Sequence, residues 1–219
     1  MRTPTQTFPA LGGIADLRHV FVLRQPGVDT RTERSRALAE LRSGFEGVID
    51  AMGFSHGGIA TAEQVHGGEV AMVERGTGLE APIAGVDGLI TTNRGVLLGI
   101  YVADCCAVYL ADRRGRAVGL VHSGKKGSEA RIAVRAIAML GDLGIHPSDL
   151  IVQLSPCIRP PAYEVDFAAQ IRRDCRDAGV PGGQIHDSGE CTSRDLERYY
   201  SYRVERGQTG RMLALLGFR

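Results

Sequence analysis

Between residues 58 and 122 the chain reads as one strand after another, and two of these strands are apolar on both alternations. "GIATAEQVH", "GEVAMVE", "GVDGLITT", "GVLLGIYVA", "AVYLAD" and "RAVGLVH" follow in order, punctuated by Gly, Asn-Arg-Gly and Arg-Arg-Gly turns. A strand with one wet face alternates apolar and polar residues. "GVLLGIYVA" and "RAVGLVH" do not, which places them centrally, buried on both faces.

Helices are available to cover them. Residues 30–53 carry Leu38, Leu41, Phe45, Val48, Ile49 and Met52 at steps of three and four, closed by Gly53 in a left-handed cap. The spacing predicts a second helix from about Gly127 to Leu140. A third lies in "VDFAAQIRRDCRDAG", with Asp166 as N-cap and Gly179 after its end. "SRDLERYYSYRVERG" reads as a last short helix. "HVFVLRQPG", "DLIVQLS" and "RMLALLG" add strands. With no repeat, low-complexity tract or long linker, residues 1–219 are expected to form one α/β domain, mixed sheets covered by helices.

Charge narrows the partners. The chain balances 26 basic against 25 acidic residues, so no overall bias points to nucleic acid or membrane, and a small-molecule partner is expected. No apolar run approaches the ~20 residues that span a bilayer. "MRTPTQTFPALGG" lacks the apolar core of a signal peptide, which predicts a cytoplasmic protein. Cys105, Cys106, Cys157, Cys175 and Cys191 are odd in number and fit no short disulfide pattern. Cys175 reads as core filler within its helix.

Three strand-like runs end at residues suited to metal or nucleophile chemistry: His66 in "EQVHG", Cys105 in "VADCCAV" and His122 in "GLVHSG". Strand ends at one sheet edge can bring such residues together. Two His and one Cys would hold a tetrahedral zinc ion with its fourth position open, lowering the pKa of a bound water to about 7. The same trio permits a Cys–His dyad, with His122 or His66 deprotonating Cys105. Strand alternation lets only one of Cys105 and Cys106 face the site. Asp104 either orients a histidine, meets a substrate hydroxyl or caps backbone amides.

The turn "HSGKKG" feeds a helix N-terminus, where Lys125 and Lys126 would favour an anion; a solvated basic turn is the alternative. "SPCIRPPAYEVD" holds Cys157, Arg159 and Tyr163 in a proline-braced loop that could wall a ring pocket. Arg203 and Arg211 either clamp a phosphate or carboxylate or pair with surface acids.

Taken in order, "EQVHGGEV", "VDGLITTNRGVLLGIYVADCCAVYLAD", "VGLVHSGKKG", "LSPCIRPPAYEVD" and "YYSYRVERGQTGRM" resemble the laccase-domain family from about Ile59 to Leu216. Its members, once labelled multicopper polyphenol oxidases, are described as purine nucleoside phosphorylases with adenosine deaminase activity, and one branch as a peptidoglycan editing factor. The resemblance implies an α/β/β/α layered fold related to cysteine-hydrolase toxins. It also implies a zinc site on His66, Cys105 and His122, with catalysis there. Gln64, Lys126, Arg203 and Arg211 are expected to bind substrate.

Family members read HAGWRG where this chain has "HSGKKG": Lys125 replaces the Trp, and Lys126 replaces an Arg expected at the phosphate, keeping charge but losing the fork. Arg24 in "LRQPGV" loosely echoes an Arg-Gly-Gly segment. A true multicopper laccase needs many histidines in His-x-His pairs. This chain has six, His19, His56, His66, His122, His146 and His186, with no such pair. Adventitious copper at the His–Cys–His trio remains chemically reasonable. The rival readings are a Cys–His hydrolase editing cell-wall precursors and a catalytically degenerate family member.

Overall fold

The strand periodicity resolves into two stacked sheets with helices on both outer faces. The computed structural model describes residues 3–219; Met1 and Arg2 lie outside the described residues. In chain order the elements are β1 (Thr5–Gln6), β2 (Leu17–Val22), α1 (Arg34–Met52), β3 (Ile59–Thr61), β4 (Val70–Met72), β5 (Gly88–Thr91), β6 (Leu97–Val102) and β7 (Cys106–Asp112). There follow β8 (Val118–Ser123), α2 (Lys125–Glu129), α3 (Ile132–Asp142), β9 (Leu150–Leu154), α4 (Phe167–Asp177), β10 (Ile185–Asp187) and β11 (Met212–Phe218).

Sheet one runs β1-β2-β11-β6-β3 and sheet two runs β10-β9-β7-β8-β5-β4, both mixing parallel and antiparallel pairs. The strands that lacked alternation, β6 and β8, are buried along their whole length. Phe21, Leu98, Ile100, Tyr109 and Leu120 fill the space between the sheets, and α1 adds Leu41, Phe45 and Ile49 to the same core. The Tyr109 hydroxyl crosses from β7 to donate to the Val20 carbonyl on β2 at 3.1 Å. A second core lies under α3 and α4, where Ile132, Ile137, Leu140, Phe167 and Ile171 meet Val108, Leu110 and Val152 of sheet two. Each such side chain, fully buried, contributes roughly 1.5–3 kcal/mol. This is the expected α/β/β/α order of layers.

Caps explain the helix ends. The Glu33 carboxylate accepts from the Ser35 and Arg36 amides ahead of α1, and Gly53 closes it at φ 82°. Asp166 accepts from the Ala169 amide, as its N-cap position predicts, and Gly179 takes φ 94° beyond α4. Cys175 is buried filler in α4.

Two expectations are corrected. The helix read from about Gly127 to Leu140 is two helices, broken where Arg131 turns left-handed at φ 54°. That turn brings Arg131 within 3.7 Å of Asp174 on α4. The stretch 193–207 is not an α-helix; it opens on a single 3-10 turn, Thr192–Arg194. Side chains take over its hydrogen bonding: Glu205 accepts from the Ser201 amide and Thr209 hydroxyl, and Asp104 from the Arg203 amide. Such local side-chain bonds compete with helical ones. Among the described residues, no helix is long and apolar enough to cross a membrane.

Candidate metal and substrate site

Two chain crossovers from sheet one to sheet two meet at one end of the stack. The first, Ala62–Glu69, links β3 to β4 and carries His66. The second, Ala103–Cys105, links β6 to β7 and carries Cys105. Between them stands His122 near the end of β8, facing Ala107 across the ladder. One ligand atom from each of His66, Cys105 and His122 lies within 4.8 Å of the others. The two imidazoles meet edge to face, centroids 4.9 Å apart.

The backbone here is strained. Gln64, His66 and Asp104 adopt φ of 65°, 61° and 80°, the left-handed region that non-glycine residues rarely occupy. Side chains hold each one. The Gln64 amide donates to the Tyr101 carbonyl at 2.5 Å and accepts from the Tyr101 amide at 2.9 Å. Asp87, fully buried, accepts from the amides of Val65, His66 and Gly67 at 3.1, 3.0 and 2.7 Å. Asp104 accepts from the hydroxyls of Thr192 and Ser201 and from the Arg203 amide.

Asp87 also bonds His122 Nδ1 at 2.8 Å. A carboxylate at Nδ1 keeps the proton there and leaves Nε2 as the free donor atom, an outer-shell arrangement typical of metal-binding histidines. Burial alone would raise the Cys105 thiol, but His122 and His66 hold it down to about 6. Burial would lower His122, yet Cys105 and then Asp87 raise it to about 9. Each charge favours the other, a thiolate on Cys105 and an imidazolium on His122. A soft thiolate, two imidazoles and an oriented tautomer make a donor set that could hold a metal ion. Gly124 leaves the space for this sulfur, since a Cβ there would sit 2.4 Å from Cys105 Sγ.

The trio opens into a cavity of about 400 Å³. Ile158, Tyr163 and Phe167 supply apolar wall, Tyr163 meeting Phe167 edge to face at 5.9 Å. Tyr202, 55% exposed, stands at the mouth with its ring under Arg211. Arg34, Lys125, Arg203 and Arg211 supply positive charge.

The sequence-derived residues divide clearly. His66, Cys105 and His122 converge, and Arg203, Arg211, Gln64 and Tyr163 line the cavity. Cys106 turns into the helix-side core, leaving Cys105 at the site. Gln64 spends both ends of its amide on Tyr101, so it braces the His66 loop instead of offering that amide to substrate. Of the two lysines in the turn, the exposed Lys126 does not line the cavity and Lys125 does. The turn feeds a helix of only five residues, Lys125–Glu129. Asp104 orients no histidine and fixes the 192–203 loop. Arg24 pairs with Glu205 at 2.7 Å, and Arg159 with Asp187; neither lines the cavity. Asp87 and Arg34 were not singled out from the sequence. The signal for Asp87 was a carboxylate directly before a buried strand, in "GVDGLITT".

The family model described as "Multi-copper polyphenol oxidoreductase laccase" matches residues 27–170 and 165–219. Purine nucleoside phosphorylase YlmD of Geobacillus stearothermophilus is 34% identical over 194 residues, covering 72% of this chain and 71% of its own. A purine nucleoside phosphorylase of Deinococcus radiodurans is 32% identical, covering 91% and 88%. The crystal structure of the Geobacillus YlmD superposes with a TM-score of 0.87 at 25% identity over 99% of both chains. Bacillus licheniformis YfiH, at 22% identity over 93% of both chains, shares the fold with a TM-score of 0.82. With its sheets, its paired crossovers and its sequence all agreeing, the chain belongs to the laccase-like family that this model describes.

Proposed function

We propose that this protein is a zinc-dependent purine nucleoside phosphorylase that also deaminates adenosine. The observation that carries the reading is the His66–Cys105–His122 cluster at the base of a cavity with aromatic and cationic walls. The names of its relatives, purine nucleoside phosphorylases, support it. When bound, zinc supplies a Lewis acid at the cavity floor. Asp87 keeps the proton on His122 Nδ1 and so turns Nε2 toward the cluster. Cys105 serves as thiolate. Tyr163 and Phe167 offer faces and edges on which a purine can stack. The guanidinia carry charge for phosphate, where a well-placed donor is worth about 3–4 kcal/mol of transition-state stabilisation.

The test is direct. Metal-loaded protein given adenosine and phosphate should yield adenine with ribose 1-phosphate, or inosine. If neither product forms with metal bound and the fold intact, the reading fails.

One observation favours a second reading. Cys105, His122 and Asp87 stand in a row that matches a thiolate, an imidazolium and an orienting carboxylate, the constellation of a Cys–His hydrolase acting on an amide. Activity that survives chelation but not alkylation of Cys105 would select it; activity lost on chelation and restored by zinc would reject it.

A further inference from the structure

The residue before Cys105 touches two walls of the cavity at once. Asp104 is buried, lies on the cavity wall and takes the left-handed φ of 80°. Its carbonyl accepts from the Ile158 amide at 2.8 Å, fastening the proline-braced loop that carries Ile158 and Tyr163. Its carboxylate accepts from the Thr192 hydroxyl at 2.7 Å, the Ser201 hydroxyl at 3.0 Å and the Arg203 amide at 2.7 Å. Those bonds fasten the segment that carries Tyr202 and Arg203 into the cavity. The two fastened segments also pair with each other at Cys157 and Cys191. Both walls thus hang from one residue, and that residue is covalently joined to the sulfur ligand.

The joint at Cys105 is stiff on one side only. After it comes β7, where Cys106 lies opposite Ser123 inside the buried sheet. Its sulfur fits against Gly124, which has no room for a side chain. Before it comes Asp104, whose left-handed backbone persists only where surrounding contacts over-determine it. Those contacts are supplied by the two wall segments. An ion gripping the Cys105 sulfur adds one more constraint to the same joint, and so holds the Asp104 carboxylate where Thr192, Ser201 and Arg203 meet it.

We propose that Asp104 is a positioning residue that links occupancy of the metal centre to the order of the wall around Tyr202 and Arg203. Such coupling is reciprocal, so a small molecule that settles this wall also tightens the metal. The inference rests on a metal at His66, Cys105 and His122, and not on which substrate the cavity takes.

Hydrogen exchange of the full chain, read by mass spectrometry with and without zinc, tests it. In the parent, zinc should slow exchange at least tenfold in peptides spanning residues 156–163 and 199–206, and leave the hairpin at residues 112–117 unchanged. Asp104→Gly tolerates the left-handed backbone and keeps the carbonyl, but removes the carboxylate. It should still bind zinc, and zinc should still protect 156–163, while the protection of 199–206 is lost. A residue that only propped up the fold would loosen both segments whether or not zinc is present. Asp104→Asn should restore the response, because the Thr192 hydroxyl can turn to accept from the new amide. Thermal melting checks that each variant folds. Thr192→Val leaves Asp104 untouched and should reduce the zinc effect on 199–206 at least threefold. Zinc that binds the parent without protecting 199–206 overturns the proposal, as does full protection in Asp104→Gly or none in Asp104→Asn. A parent that binds no zinc removes the coupling and the metal reading together. Turnover of adenosine with no zinc effect on exchange removes the coupling alone, and coupling without turnover removes the nucleoside reading alone.

Discussion

Two buried carboxylates, Asp87 and Asp112, anchor loops at opposite ends of sheet two, and they spend their charge differently. Asp112 ends β7 and accepts from Arg116 through its amide, Nε and Nη2 at 3.0, 2.7 and 3.0 Å. Arg116 also reaches Asp149 at 3.1 Å, so this turn is electrically self-contained. Asp87 has no guanidinium. It gives its oxygens to three backbone amides and to an imidazole whose other nitrogen is left for the cluster. One hub closes a hairpin; the other exports its negative charge toward the chemistry. A buried acid therefore becomes functional through the partner it lacks.

The largest expected effect strikes the exporting hub. Asp87→Ala leaves the amides of residues 65–67 and the His122 ring without their acceptor, and metal affinity should fall about ten- to hundredfold, read by competition with a chelator. The matching variant, Asp112→Ala, should leave metal affinity within about twofold while lowering stability by about 1–3 kcal/mol in urea unfolding. Equal losses of metal affinity in the two variants would break the comparison.

A smaller effect sharpens it. In metal-free protein, the Cys105 thiol held down to about 6 should alkylate with a half-maximal rate near pH 6, because the thiolate dominates above that point. Asp87→Asn weakens the charge on His122 and should move this midpoint upward, whereas Asp112→Asn should not. The smallest effect lies on sheet one. His19 Nε2 accepts from the Phe8 amide at 2.9 Å, and burial lowers its pKa. The unfolded chain then binds more protons than the folded one between the lowered value and 6.5. Stability is full above that window and falls as pH drops through it. His19→Gln should flatten the slope in urea unfolding of metal-loaded protein.

Much of this was legible because burial writes periodicity. The apolar runs of β6 and β8 announced two covered faces, and the steps of α1 and the Asp166 cap of α4 set their helices. The trio was legible because His and Cys at strand ends are chemically unusual. What stayed hidden depended on distant partners. Asp87 resembles any turn acid until His122 folds against it, 35 positions away. The segment 193–207 has a helix-like pattern, yet Asp104 and Glu205 capture its polar groups. Arg34 belongs to the polar side of an amphipathic helix in sequence, and only the packing of α1 sets it beside Arg211. Adjacent lysines cannot be told apart until the turn's path is known.

The crossovers carry one more consequence. His66 and Cys105 ride on two of the chain segments that pass between the layers, while His122 belongs wholly to sheet two. An ion gripping all three is a rivet through both plates of the sandwich. Loading it should tie their melting together, so that heat parts the layers in one event in the holoprotein and at a lower temperature once the rivet is drawn.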